Sequence, residues 1–159
     1  MPEDVDHVAH VIGIGAVKYA DLSQNRQSNY VFSYDRMLSL KGNTAPYLQY
    51  AYARMRSILR DADAAGAGVA LTEPEEIELA KLLAGFPDAI ERVVAEHQPN
   101  HLCAHLYDVA QAYSRFYESC PVLKADEPAR SSRLALCDVS ARVLKSGLEL
   151  LGIEVLERI

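Results

Sequence analysis

Between Leu102 and Pro121, the residues Leu102, Leu106, Val109, Tyr113, Phe116 and Cys120 recur at alternating steps of four and three. That period gathers all six side chains on one face of an α-helix, whereas a strand would scatter them over both of its faces. The segment can therefore bury its apolar surface only as an amphipathic helix packed on other elements. Pro121, which lacks an N–H and collides with the preceding turn, ends it.

The rest of the chain obeys the same period. Val5, Val8, Val11, Ile12 and Gly15 predict a first helix reaching about Ala20. Residues 28–33 read as extended, and Lys41-Gly42-Asn43 as a break. Thr44 or Ala45 then caps a long helix with Pro46 in its first turn, where the missing N–H costs little. This helix is expected to run to about Ala64 and to end in the turn Gly66-Ala67-Gly68. Thr72-Glu73-Pro74-Glu75 predicts a capping box for a helix closed near Gly85-Phe86-Pro87. Ala89, Ile90, Val93, Val94 and His97 outline a further helix stopped before Pro99. The last helix opens near Pro128, carries Leu136, Val139, Val143, Leu144, Gly147, Leu150 and Leu151, and breaks at Gly152. Short connections between helices favour antiparallel neighbours. The expected fold is all-α: an antiparallel, up-and-down helix bundle over residues 45–159, with residues 1–44 as a piece of another domain.

Composition narrows the function classes. Half of the 159 residues are hydrophobic, enough to build a core without disulfides or metals. No run of about 18 apolar residues suggests a membrane span. The acidic start lacks the basic and apolar regions of a signal peptide. Cys103, Cys120 and Cys137 are odd in number and widely spaced, as core residues of a cytoplasmic protein would be. A net charge of −6 opposes a simple nucleic-acid binder. The acid is uneven, however: residues 61–96 hold nine Asp/Glu against Lys81 and Arg92, while residues 1–60 carry more bases than acids. A locally neutral or positive surface remains open elsewhere.

Several patterns carry no site. Gly13-x-Gly15 has Lys18 at the third glycine position of a dinucleotide loop and no strand before it, so it reads as a helix-packing site. His101, Cys103 and His105 lack a further ligand, His97 being cut off by Pro99, and suit an ordinary helix face, so no metal is expected. Glu73, Glu75, Glu76 and Glu78 crowd a helix N-terminus, where solvated carboxylates complement the dipole. No catalytic set of Ser/His/Asp or Cys/His type stands out.

The helix opening at Pro46 is more informative. Leu48, Ala51, Tyr52, Met55, Ile58, Leu59 and Ala62 form its core stripe. Tyr47, Tyr50 and Arg54 lie beside that stripe. Such a flank can stack on unpaired bases and touch phosphate. It can equally pack on a neighbouring element, and spacing alone favours packing. Tyr113 and Phe116 belong to the core stripe of their helix, while Tyr117 is offset and freer to reach outward.

The segments that follow carry a resemblance. They are residues 13–26, 30–38, the run Gly42 to Arg54 (Gly-Asn-Thr-Ala-Pro-Tyr-Leu-Gln-Tyr-Ala-Tyr-Ala-Arg), 116–123, 133–137, 147–153 and 157–159. Together they resemble the end of the catalytic domain and the anticodon-binding domain of arginyl-tRNA synthetases, over nearly the whole chain. The resemblance implies a helical domain of DALR type, at 45–159, that grips the anticodon arm of arginine tRNA. It implies a remnant of a Rossmann-type catalytic domain at 1–44, and a parent enzyme that joins arginine to tRNA with ATP and Mg²⁺. Residues Tyr47, Tyr50, Tyr113 and Tyr117 match aromatic positions implicated in anticodon contact. Ile159 stands where the family usually has a terminal Met that helps shape the anticodon site; Ile is branched and stiffer. The chain holds neither a His-x-Gly-His type motif nor a Lys-Met-Ser-Lys type loop, so it is expected to bind tRNA without catalysing and to be a fragment starting at Met1. The rival expectation is a free-standing interaction module, self-associating through Val31, Phe32 and Met37 of segment 1–44.

Overall fold

A computed structural model of the chain describes residues 5–60, 62 and 69–159. It contains seven helices among those residues: α1 (Val5–Leu22), α2 (Tyr34–Met37), α3 (Ala45–Arg60), α4 (Pro74–Ala84), α5 (Phe86–Glu96), α6 (Asn100–Ser119) and α7 (Ala129–Leu150). The described residues form no strand; in the segment before α2, expected to be extended, Ser33 has extended backbone (φ −149°, ψ 120°) without strand pairing. The end of α3 beyond Arg60 and the glycine turn at 66–68 fall outside the described residues, apart from Ala62.

Local signals explain the boundaries. Thr44 caps α3 by accepting the Tyr47 N–H at its hydroxyl (3.3 Å), with Pro46 at a position whose missing donor is not needed. At α4 the cap is Glu73 rather than Thr72, because Pro74 occupies the first helical position. The Glu76 carboxylate reaches back to the N–H groups of Thr72 (2.8 Å) and Glu73 (3.1 Å). Pro87, which collides with the carbonyl four residues earlier, separates α4 from α5 at Gly85. His97 ends α5 in the left-handed conformation (φ 55°), and Gly152 does the same past α7 (φ 70°).

The contacts give each helix a direction. Between α6 and α7, Tyr113 meets Cys137 while Arg133 donates to the Pro121 carbonyl, so these helices run antiparallel. Between α4 and α6, Glu78 pairs with Arg115, and Gly85 approaches His105, again antiparallel. α5 crosses the start of α6, tied by the Phe86 and His105 rings (6.1 Å) and by Glu96 to His101 (2.7 Å). Helices α3, α4, α6 and α7 thus alternate in direction as an up-and-down bundle. The core stripe of α6 is buried throughout, together with Leu48, Tyr52 and Met55 of α3 and Leu136, Cys137 and Leu144 of α7. Each such large apolar side chain contributes roughly 1.5–3 kcal/mol.

Helix α1 is built into this core. Tyr19 is buried, and its hydroxyl contacts Asn43 Oδ1 and donates to the Cys103 carbonyl (2.9 Å). Gly15 lets α1 approach α3: a Cβ there would meet Gln49 Nε2 at 2.9 Å. That amide, fully buried in α3, donates to the Glu154 carbonyl (2.8 Å) and reaches the Val11 carbonyl (3.5 Å), joining three segments. The Gly13-x-Gly15 pattern is therefore a packing site at Gly15.

Two expectations are corrected. Met37 is buried, because α2 folds it inward, whereas Val31 and Phe32 are exposed. Glu76 is not solvated: only 1% of its side chain is accessible, and it accepts a hydrogen bond from Arg133 Nε at 2.6 Å. Burial opposes its ionisation. Arg133 and the N–H groups of Thr72 and Glu73 outweigh that cost, and its pKa sits below the ordinary value. Glu78 likewise pairs with Arg115 across the surface.

Candidate nucleic-acid interface

Helices α3 and α6 run in the same direction, as two contacts along them show. Tyr47 meets Tyr107 edge-on, ring centroids 5.7 Å apart, and farther along both helices the Arg54 guanidinium lies 4.5 Å from the centre of the Tyr117 ring. An aromatic pair and a cation–aromatic pair thus mark the two ends of one seam. Tyr50, 49% accessible, stands on α3 between them. The apolar stripe of α3 fixes this arrangement: burying Leu48, Tyr52 and Met55 leaves Tyr50 and Arg54 outward, with Tyr47 half-buried at the edge toward α6.

Tyr107 was not singled out by sequence reasoning. It follows Leu106 as Tyr117 follows Phe116, so both lie off the core stripe on the same side of α6. That shared offset was the available signal.

Tyr113 occupies a different place from that implied by the anticodon-contact resemblance. Its ring is buried (2% accessible), its hydroxyl points to Cys137 Sγ at 3.6 Å, and burial raises its pKa far above the ordinary phenol value. It cannot offer a face to a ligand here. It lies nearly parallel to Tyr117 (19°, 6.2 Å) and supports that ring from within.

Ile159 is 51% exposed, beyond a tail that α3 holds through its other flank. Arg56 pairs with the Glu157 carboxylate (3.2 Å), and Arg60 donates to the Glu157 carbonyl (3.0 Å). On a helix with 3.6 residues per turn, Arg56 lies roughly 160° around α3 from Arg54. The structure pairs Tyr47 with Tyr107 and Arg54 with Tyr117, leaves Tyr50 exposed on α3, and holds the segment before Ile159 against Arg56 and Arg60 of the same helix.

The chemistry of the seam is that of a stacking surface. Base–aromatic stacking supplies roughly 1–3 kcal/mol per base and accepts any base. An exposed cation–π pair is weaker, roughly 0.5–1 kcal/mol. Among the described residues Arg54 has no carboxylate partner, so its charge is available to a phosphate.

Other chemistries find no support in the donor sets. No group of three or more His, Cys, Asp or Glu is placed to hold a metal among the described residues. Burial pushes the thiols of Cys103 and Cys137 up to about 12 and about 11. They remain protonated and unreactive. No helix among the described residues is long and apolar enough to cross a membrane.

Comparison with known proteins gives the surface its context. Residues 48–159 match the family described as DALR anticodon binding domain, and residues 1–34 match the catalytic domain of class I (R) tRNA synthetases. An arginine–tRNA ligase of Synechocystis sp. is 58% identical over 156 residues, covering 95% of this chain and 27% of the relative. That of Crocosphaera subtropica is 56% identical over 160 residues, covering 97% and 27%. Among solved structures, arginyl-tRNA synthetase from Thermus thermophilus superposes with a TM-score of 0.94 at 34% identity, covering 98% of this chain and 28% of that one. The enzyme from Plasmodium falciparum gives 0.89 at 33% identity, covering 99% and 29%. The chain thus spans little more than a quarter of the length of the relatives it matches. It belongs to the DALR anticodon-binding domain family, with a short stretch of the class I (R) synthetase catalytic domain ahead of that domain.

Proposed function

We propose that this chain grips the anticodon arm of arginine tRNA, as the RNA-reading part of an ATP-dependent arginine–tRNA ligase, and does not itself catalyse. The observation that carries the reading is the α3–α6 seam, where Tyr47, Tyr107, Tyr117 and Arg54 gather beside the open ring of Tyr50. An anticodon loop presents unstacked bases, which need ring faces and a nearby cation. In this reading residues 45–159 hold the RNA and residues 1–44 belong to the catalytic body in a cytoplasmic enzyme.

In this reading ATP and Mg²⁺ belong to the catalytic body, and Gly13 and Gly15 lie inside α1 rather than in a phosphate loop. Activation of arginine is assigned to the remainder of the enzyme.

The test is titration of an isolated anticodon stem-loop of arginine tRNA, and of one with a changed anticodon. Binding is expected to be weak, salt-dependent and weaker for the changed loop. Tyr50→Ala and Tyr117→Ala are each expected to cost about 1–3 kcal/mol if a base stacks there. Unchanged binding by both variants, with circular dichroism unaltered, would overturn the site assignment.

A second reading rests on Tyr30, Val31, Phe32, Tyr34, Leu38 and Leu40, all exposed in one short stretch. That apolar surface suits contact with the catalytic body or with a second copy of the chain. Light scattering that shows a concentration-dependent dimer, abolished by Val31→Asp with Phe32→Asp, supports self-association; a monomer at all concentrations excludes it.

A further inference from the structure

The guanidinium of Arg54 covers a ring face of Tyr117 that a base would need. We propose that Arg54 is a displaceable cover: it guards Tyr117 in the free protein, and an arriving unpaired base takes its place and sends the guanidinium to the adjoining phosphate. This rests on the RNA-binding reading above and adds how the second stacking position becomes available.

Three features of the seam make the exchange possible. Arg54 is exposed and has no carboxylate partner among the described residues, so its recorded contact with the Tyr117 ring is not anchored by an ion pair there. Tyr117 is itself steadied from within by Tyr113, whose hydroxyl is directed at Cys137, so the ring stays in position when its cover leaves. Tyr50, one helical turn from Arg54, is accessible with no aromatic partner among the described residues, and so can take a first base without any rearrangement. The cation–ring contact is weaker than base stacking, and the displaced cation gains a charge-assisted bond to phosphate. Arg54 therefore disfavours an uncharged aromatic ligand at Tyr117 and favours one that brings a phosphate.

The chain contains no tryptophan, so Tyr117→Trp introduces a unique fluorescent reporter at the covered position. In that background the protein is titrated with a short single-stranded RNA of the anticodon-loop sequence, and with the same sequence carrying uncharged methylphosphonate linkages. Each titration is repeated with Arg54→Ala added. Removing the cover is expected to tighten the uncharged oligonucleotide about two- to fivefold, the factor that matches an exposed cation–π contact. It is also expected to lower the salt dependence of the charged RNA by about one phosphate contact. Quenching by RNA with equal or weaker binding of the uncharged form after Arg54→Ala overturns the cover and leaves the RNA surface standing. No quenching by either oligonucleotide, with none for the intact stem-loop, overturns both.

Discussion

At Glu76 the charged surface predicted for the start of α4 gives way to a buried ion pair. Sequence spacing shows four acids near a helix N-terminus, but not that Arg133, 57 residues later, folds back over one of them. Breaking a buried pair leaves a charge without compensation, so Glu76→Ala is expected to cost about 3–5 kcal/mol in urea unfolding. A cost under about 1 kcal/mol would show the pair to be solvated. The pH dependence follows from the depressed folded pKa. The contribution of Glu76 is complete above its ordinary value of 4.5 and is lost as pH falls through the lower folded value. Unfolding midpoints are therefore expected to drop more steeply below pH 4.5 in the native protein than in Glu76→Gln. Tyr113 and Gln49 teach the same lesson at this scale. The helical period placed Tyr113 on the core stripe, where it lies, whereas the family likeness pointed it at the ligand. Gln49 is polar and interrupts the pattern; only α1 and the tail converging on it explain its burial.

The helices themselves were legible wherever period and punctuation agreed. α6 and α7 begin and end close to where Pro99, Pro121, Pro128 and Gly152 place them, because those residues act through the local backbone. What the period could not give was which helices touch. The α3–α6 seam joins helices far apart in the chain, so the partner of Tyr47 could not be read from the period of either helix. Close approach between elements was likewise legible only as a glycine within a stripe. At Gly147 of α7, an added Cβ would meet Leu106 Cδ1 of α6 at 2.8 Å. Leu106 is fully buried in the core, so any shift it makes disturbs its neighbours there. Gly147→Ala is expected to destabilise by about 1–3 kcal/mol through overpacking. For a chain of this length, that corresponds to a fall of about 2–12 °C in Tm by calorimetry. An unchanged Tm would mean that α6 and α7 can part without cost.

For the molecule as a whole, the acidic net charge and the RNA-binding reading coexist because charge is distributed unevenly. The carboxylates of α4 are partly consumed by Arg133 and Arg115, while Arg54 is left without one among the described residues. The parallel course of α3 and α6 then sets a length. Tyr47 and Arg54 are seven residues apart, so the two ends of the seam are separated by about 10 Å along α3. Bases in a regular strand rise by only about 3.4 Å. On the RNA-binding reading, two neighbouring nucleotides lodged at opposite ends therefore cannot stay stacked on each other, and the loop has to splay between them. A hairpin whose loop is stiffened by one extra closing base pair should bind more weakly than a relaxed loop of the same bases. Equal affinity for the two would mean that only one end of this ruler is ever read.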